Sequence, residues 1–241
     1  MELNLPKNTN ISILPIKAFS DNYIWLIENK NDAILVDPGD HEPVCKILKE
    51  KKLSLKVILV THKHHDHIGG INELIRLYPN VEIYAPHNDF EFNYKTVKDG
   101  DLITLGKPNI QFKVMETPGH TLDHVVYIDN KHLFCGDTLF ACGCGRLFEG
   151  TYQQMFNSLS KISLLPKNIK IYCAHEYTMK NIEFSLTEDK INKQLIKRKE
   201  KVKNMQITLP TTLKEELETN PFIRAENVEI FKQIRIRKDA Y

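Results

Sequence analysis

The sequence predicts an α/β domain followed by a smaller helical domain, and two observations indicate this. Short β-rich runs are interleaved with helical patterns along most of the 241-residue chain, and the strand patterns stop after Glu176. Such a mixture is typical of helices packed on sheets. A chain of this length can bury one large core and carry a smaller appendage. We therefore expect one domain over residues 1–176 and a helical domain over residues 177–241.

The predicted strands are short apolar runs that end at turn-forming residues. They cover residues 11–14, 23–27, 33–36, 57–60, 81–84, 110–115, 124–128, 132–135 and 169–173. The predicted helices have apolar residues at helical spacing, and they cover residues 42–52, 68–78 and 153–164. Beyond residue 178 the pattern is helical and charged, with breaks expected at Leu209-Pro210 and Asn220-Pro221.

The composition excludes several classes of protein. It is 41% hydrophobic and 27% charged, with no apolar run near the roughly 20 residues of a membrane span. A net charge of +2 gives no global field for nucleic acid, although residues 190–203 and 235–238 are basic. Met1-Glu2-Leu3-Asn4 does not resemble a secretory signal, and five cysteines suit a reducing compartment. We expect a cytoplasmic monomer without membrane or nucleic-acid partners.

A dense group of metal-ligand side chains follows the apolar run 57–60. His62, His64, Asp66 and His67 lie within six residues of one another, and His65 lies among them. So many imidazoles beside a carboxylate would be costly to bury without a cation. Imidazole with carboxylate suits zinc, iron or manganese. The segment therefore predicts a metal site, and its two ligand pairs indicate two ions.

Three later residues have the same character. His120, Asp137 and His175 each follow a predicted strand, and each has a small residue beside it that permits close approach. Cys142 and Cys144 are weaker candidates, because a cysteine zinc site normally has a second pair at matching spacing.

Together these residues resemble the dinuclear metallo-β-lactamase superfamily, which has a four-layer αββα sandwich. The resemblance rests on the pattern His-x-His-x-Asp-His, followed by Gly-His-Thr, Gly-Asp-Thr and a final His. The resemblance implies that one ion is bound by His62, His64 and His120, the other by Asp66, His67 and His175, and that Asp137 bridges the two.

Further segments are similar to the glyoxalase II (hydroxyacylglutathione hydrolase) family. They are Phe-Ser-Asp-Asn-Tyr-Ile-Trp at 19–25, Cys-Gly-Arg-Leu-Phe-Glu-Gly-Thr at 144–151, His-Glu-Tyr-Thr at 175–178, Asn-Pro-Phe at 220–222 and the terminal Arg235-x-x-Lys238-Asp239. The resemblance implies hydrolysis of the thioester S-D-lactoylglutathione to D-lactate and glutathione, the second step of methylglyoxal detoxification. It also implies a glutathione site, to which the helical domain contributes, formed by Arg146, Phe148, Tyr177, Arg235 and Lys238.

The chemistry of the residues agrees with this expectation. Two divalent cations, expected to be zinc with iron or manganese as alternatives, would lower the pKa of a shared water and hold a developing oxyanion. The nucleophile would be the bridging hydroxide, with Asp66 and Asp137 as the catalytic carboxylates that hold the metals. A thiolate leaves without a strong general acid.

Some points stay open at the level of sequence. Phe148 stands where some family members have a hydrogen-bonding tyrosine, and Lys63 stands where histidine is common. Asp37, Asp21 and His124 are candidates to orient the ligand imidazoles. Arg235 and Lys238 would also suit a solvated last helical turn. The alternatives are a lactonase, a β-lactamase, a persulfide dioxygenase or a nucleic-acid-processing module of the same fold.

Overall fold

The structure is a computed structural model that describes residues 11–106 and 109–241. The expectation for Met1-Glu2-Leu3-Asn4 falls on residues 1–10, which lie outside the described ranges. Within those ranges, every helix is too short or too polar to cross a membrane. The described chain forms two compact units. The first unit comprises residues 11–106, 109–116 and Asp123–Asn130, and the second comprises Thr117–Leu122 and Lys131–Tyr241.

The first unit contains a six-stranded sheet whose strands follow sequence order. They are β1 (Ser12–Ala18), β2 (Asn22–Asn29), β3 (Asp32–Val36), β4 (Ser54–Leu59), β5 (Glu82–Pro86) and β6 (Lys95–Val97). The first three strands are antiparallel, and β3 to β6 run parallel. Three further strands pair antiparallel in the order β7 (Leu102–Gly106), β8 (Asn109–Glu116) and β9 (Val125–Ile128).

Helices of the first unit cover one face of its six-stranded sheet. They are α1 (His41–Lys51), α2 (His65–Ile68) and α3 (Ile71–Leu77). Val44 and Leu48 of α1 and Leu74 of α3 pack in one buried cluster with strand residues such as Leu35 and Ile58. Each such side chain contributes about 1.5–3 kcal/mol to the free energy of unfolding when it is fully buried. This packing therefore stabilises the parallel strands and fixes the positions of their ends.

The second unit holds the remaining strands and most of the helices. Its elements are β10 (His132–Gly136), β11 (Leu139–Phe140), β12 (Gly143–Cys144), α4 (Tyr152–Ser163), β13 (Lys170–Cys173), α5 (Thr178–Glu188), α6 (Lys193–Val202), β14 (Thr211–Thr212), α7 (Leu213–Thr219) and α8 (Val228–Asp239). Strand β13 pairs parallel with β10 and antiparallel with β14, while β11 and β12 form a separate two-stranded hairpin.

The structure corrects two expectations about the elements. The helix expected at residues 68–78 starts later, as α3 (Ile71–Leu77), and Ile68 instead ends α2. Gly69 and Gly70 separate the two helices, and the Gly70 amide donates to the Pro38 carbonyl at 3.0 Å. The expectation that strands stop after Glu176 is wrong, since β14 pairs with β13. The expected break at Asn220-Pro221 is confirmed by the end of α7 at Thr219.

Candidate metal centre and adjoining pocket

The ligand loop, residues 61–67, continues the buried strand β4. Its backbone is fixed at the start, where the Val60 amide donates to the Tyr84 carbonyl at 2.9 Å. His62 is fully buried, and its Nε2 lies 3.0 Å from Nδ1 of His64. When two imidazole nitrogens bind the same ion, each at about 2.0–2.1 Å, the nitrogens lie roughly 3 Å apart. The spacing of His62 and His64 therefore suits a cation bound by both residues.

Asp37 organises the ligand loop from the end of β3. Its carboxylate accepts from the Thr61 amide at 2.8 Å and the Thr61 hydroxyl at 2.7 Å, and it lies 2.9 Å from Nδ1 of His67. The predicted orienting role of Asp37 toward a ligand imidazole therefore has a direct contact behind it. The His124 ring stacks on His62 at 4.7 Å, whereas Asp21 accepts from Ser20 at 3.0 Å.

Asp66 is positioned by two residues whose roles the sequence did not reveal. The amide of Asn22, which is buried, donates to Oδ2 of Asp66 at 2.8 Å. Gly39 lies so close that a Cβ there would be 1.8 Å from the Asp66 carbonyl oxygen. The same Oδ2 lies 3.6 Å from Nε2 of His67. Asp66 and His67 thus offer one oxygen and one nitrogen to a common point. The only available signal for Asn22 was its place in the segment 19–25.

In the second unit, Asp137 lies next to two histidines. Its Oδ2 is 3.5 Å from Nε2 of His120 and 3.4 Å from Nε2 of His175. Nδ1 of His120 is 2.7 Å from the Arg146 carbonyl, which leaves Nε2 to face the carboxylate. The backbone at Gly145 packs closely against that of Asp137, because a Cβ at Gly145 would lie 2.0 Å from the Asp137 carbonyl oxygen. One carboxylate oxygen equidistant from two imidazoles suits a bridging ligand.

Aromatic rings fix the orientation of His175. The Tyr177 ring stacks on it at 4.7 Å with an interplanar angle of 4°, and the Phe140 ring meets it edge-on at 5.8 Å. Phe140 also contacts Tyr177 at 5.3 Å. These contacts hold the imidazole in one plane, as a metal ligand requires.

The predicted ligands divide between the two units: His62, His64, Asp66 and His67 lie in the first, and His120, Asp137 and His175 lie in the second. Every one of these residues belongs to at least one of three ligand groups that could hold a metal ion. Nitrogen and carboxylate donors of this kind fit divalent transition metals, so the residues are suited to the expected ions.

A pocket of about 360 Å³ opens beside these ligands in the second unit. All the residues expected to bind glutathione line it together with His120 and Asp137: Arg146, Phe148, Tyr177, Arg235 and Lys238. Asn181, Phe140 and Cys144 complete its lining. The sequence separates these side chains by up to about a hundred positions, and the fold brings them to one wall.

Arg235 is not a solvated residue of the last helical turn. It is 4% exposed, and it donates to the Cys144 carbonyl at 3.0 Å and to Asp239 at 2.8 Å. Its guanidinium also lies over the Phe222 ring at 5.1 Å. Asp239 lies 3.4 Å from Nε of Arg146 as well, so it joins the two arginines of the pocket. Asp239 belongs to the terminal motif of the sequence, but this contact of its carboxylate was not predicted.

Lys238 lies half-buried on α8. Its Nζ is 5.0 Å from the centre of the Phe184 ring and 5.3 Å from that of Tyr241. Burial, followed by the nearby positive charge of Arg235, lowers the pKa of Lys238 below its usual value. Phe148, by contrast, is 61% exposed at the rim, with its ring edge-on to His120 at 5.2 Å. The pocket therefore combines two buried or half-buried cations with an exposed ring.

The two weaker metal candidates are buried thiols. Burial raises the pKa of Cys142 to about 12 and that of Cys144 to about 11. Neither belongs to the three ligand groups found among the described residues. The alternative of a cysteine metal site is therefore not supported.

Comparison with known proteins defines the class first. The model of the metallo-β-lactamase superfamily matches residues 19–175, and the structure is similar to solved members of that fold. ETHE1 from Myxococcus xanthus is 25% identical, with a TM-score of 0.74 over 96% of this chain and 92% of that one. TTHA1623, solved in a di-iron-bound form, is 22% identical with a TM-score of 0.64 over 87% of this chain and 99% of that one, a likeness that shows the fold alone. The predicted α/β sandwich class is thus confirmed.

The C-terminal part narrows this class. Residues 176–241 match the model described as the hydroxyacylglutathione hydrolase C-terminus. The hydroxyacylglutathione hydrolase of Photobacterium profundum is 48% identical over 230 residues, and that of Vibrio cholerae is 44% identical over 230. Both alignments cover 93% of this chain and 90% of the relative. The chain belongs to the hydroxyacylglutathione hydrolase family.

Proposed function

We propose that the protein hydrolyses S-D-lactoylglutathione to D-lactate and glutathione. One observation carries this proposal: a single pocket holds the cations expected for glutathione and two of the expected metal ligands, His120 and Asp137. Family membership, with relatives named hydroxyacylglutathione hydrolase at up to 48% identity, supports the same reaction. The predicted site residues keep their roles within this proposal.

The ligand sets support two divalent ions, which we take to be zinc. His62, His64 and His120 would hold one ion, and Asp66, His67 and His175 would hold the other. Asp137 would bridge them, because its Oδ2 is nearly equidistant from His120 and His175. When bound, such ions supply a water of lowered pKa and a Lewis acid for the thioester carbonyl.

The remaining residues bind and orient the substrate. Glutathione carries two carboxylates, and the pocket offers Lys238, Arg235 and Arg146 as cations. A charge-assisted hydrogen bond to a carboxylate is worth about 1.5–3 kcal/mol, which is enough to fix one end of the tripeptide. Tyr177 stacks on His175 and therefore connects the wall of the pocket to the ligand cluster.

The departing group explains why these residues suffice. A thiol of pKa near 8.5 leaves as a thiolate close to neutral pH, so the pocket needs no strong proton donor. Asp66 and Asp137 would hold the metal ions. The hydrogen bond from Asn22 fixes the position of the Asp66 carboxylate. Oxygen esters, whose leaving groups are far more basic, would be poor substrates.

The test is turnover of S-D-lactoylglutathione by purified protein. We expect turnover by metal-replete protein, loss of turnover after treatment with a chelator, and recovery on addition of Zn²⁺. Elemental analysis should find two metal ions per chain and identify the metal. Metal-replete protein that leaves the thioester intact would refute the substrate, and a single bound ion would refute the paired site. The cytoplasmic location and the monomeric state stay predictions.

A further inference from the structure

The pocket hairpin, which we define as residues 139–144, has an unusual set of hydrogen bonds. Each of its five consecutive backbone carbonyls from Phe140 to Cys144 accepts a side-chain hydrogen bond from the helical segment after residue 176. The donors are Asn220 to the carbonyls of residues 140 (3.2 Å) and 143 (2.9 Å), Asn181 to 141 (3.1 Å), Ser185 to 142 (3.2 Å) and Arg235 to 144 (3.0 Å).

A buried ion pair supports these donors. Glu216 is fully buried; it accepts from the Cys142 amide at 2.8 Å and from the amide group of Asn220 at 3.0 Å. Arg198, itself 4% exposed, pairs with the same carboxylate at 2.6 Å and donates to Thr219 at 2.6 Å. A buried carboxylate needs such partners, so Asn220 and the Cys142 amide are parts of one connected network.

The turn of the pocket hairpin is also inserted into the helical segment. Cys142 has a left-handed backbone, with φ of 56°, and its side chain packs in a small apolar cluster with Ile182, Leu195 and Val202. The hairpin itself has only two paired residues on each strand. A two-stranded hairpin of this size is not stable alone, so its conformation depends on the helical segment.

Two residues of the pocket hairpin form part of the pocket. Phe140 lies edge-on to His175 and Tyr177, and the Cys144 carbonyl holds Arg235. We infer that Asn220, supported by Glu216, is a positioning residue. It fixes the position of the pocket hairpin, and the hairpin in turn fixes Arg235 and the side of the pocket that is expected to bind glutathione. The effect on substrate binding rests on the proposed function, whereas the effect on the hairpin does not.

Thiol reactivity tests the position of the hairpin without any substrate. Cys142 and Cys144 are buried, and their raised pKa values make them slow to alkylate. Cys135 and Cys173, on β10 and β13, are equally buried and report opening of the sheet instead. Alkylation by iodoacetamide would be followed at each cysteine by peptide mass spectrometry, on metal-replete protein.

Asn220→Ala removes the side-chain amide whose two hydrogens are shared among the Phe140 carbonyl, the Gly143 carbonyl and Glu216. We expect Cys142 and Cys144 to be alkylated roughly thirtyfold faster, and Ser185→Ala, which removes one bond, to give about a fivefold increase. Ser160→Ala is the matched control, since Ser160 donates to the Phe156 carbonyl of its own helix at 2.8 Å. Its rates should equal those of the unaltered protein.

Two outcomes would overturn the inference. One is an unchanged alkylation rate at Cys142 and Cys144 in Asn220→Ala. The other is equal acceleration at Cys135 and Cys173 in both Asn220→Ala and the milder Ser185→Ala, because that result would mean opening of the whole unit rather than of the pocket hairpin.

Kinetics then connect the hairpin to binding. Asn220→Ala should raise KM for S-D-lactoylglutathione about tenfold while kcat changes less than about threefold. The lactoyl thioester of N-acetylcysteamine, which lacks the glutathione carboxylates, should show no such rise. If the unaltered protein does not turn over the glutathione thioester, the proposed function fails, and the alkylation rates still decide whether Asn220 positions the hairpin.

Discussion

The ligand loop and the pocket hairpin obtain their order from different sources. In the ligand loop, the imidazoles lie close to one another, as with the buried His62 and the half-buried His64 at 3.0 Å, an arrangement suited to a cation. In the pocket hairpin, the backbone carbonyls accept hydrogen bonds from side chains of the helical segment, among them Asn220, Ser185 and Arg235. We therefore expect metal loss to loosen the ligand loop and to leave the pocket hairpin intact. Substitutions in the helical segment should do the reverse.

The largest expected effect is that of Asp137→Ala. Without the carboxylate that faces both His120 and His175, neither ion keeps its ligand set, and activity should fall by more than about a thousandfold. Metal analysis should show loss of both ions, while alkylation of Cys142 stays slow. Asp89→Ala, at an exposed position, is the control. A variant that keeps both ions would exclude the bridging role.

Asp37→Asn should weaken metal binding without removing a ligand. Asparagine tolerates the left-handed backbone at this position, where φ is 54°. Its amide has only one accepting oxygen, so if that oxygen faces the Thr61 hydroxyl and His67, the amide nitrogen faces the Thr61 backbone N–H and the hydrogen bond to Oδ1 is lost. We expect affinity for the ion bound by His67 to fall roughly ten- to a hundredfold. Competition with a chromogenic chelator would measure it, and an unchanged affinity would count against the orienting role of Asp37.

Lys238→Met removes the charge of Lys238 and keeps an apolar stem against Phe184 and Tyr241. We expect KM for S-D-lactoylglutathione to rise about tenfold or more, with kcat nearly unchanged. Lys180→Met, which removes a neighbouring exposed charge, is the control and should have little effect.

The same lysine predicts a pH dependence. Only the protonated ammonium attracts a carboxylate, and burial with the positive charge of Arg235 lowers the pKa of Lys238. Binding is therefore complete below this lowered pKa and weakens as the pH rises through it, at a lower pH than an ordinary lysine would give. The rise of KM at alkaline pH should be absent from Lys238→Met. If both proteins show the same profile, another group is responsible.

The smallest expected effect is that of Phe148→Tyr. The ring is exposed at the rim, and the added hydroxyl would supply the donor that some family members have there. We expect KM to fall about two- to fivefold, the worth of one modest hydrogen bond. Phe148→Leu should not lower KM, and a tyrosine variant without improvement would show that substrate does not reach this position.

The ligand cluster was largely predictable from the sequence because its residues follow strands. His120, Asp137 and His175 come directly after β8, β10 and β13 or close to them, and a strand end places a side chain with little freedom. The assignment of each ligand to an ion came from family resemblance. Their roles as ligands stay a prediction until metal is measured.

The pocket wall was predictable only in part. Arg235 and Lys238 were identified by resemblance, but the burial of Arg235 and its contact with Cys144, which lies 91 positions earlier, were not. Side-chain donors to a hairpin backbone leave no periodic pattern, because any polar residue at the right point of a helix can donate. Asn220 was therefore noted only as part of the Asn-Pro-Phe segment and as a helix break, and Glu216 was not noted at all. Strand β14 was not predicted, because a strand of two residues is too short to show the alternation of apolar and polar residues.

The buried thiol of Cys144 has a consequence for the fate of the acyl group. It lines the pocket in which a thioester is cleaved, and an ionised thiol there would compete with water for the lactoyl carbon. Burial raises the pKa of this thiol to about 11, although the positive charge of Arg235 opposes the rise, so the neutral thiol predominates near neutral pH. Burial of Cys144 thus disfavours the thiolate that could accept the acyl group, so within the proposed function the acyl group would pass to water and leave the protein unmodified.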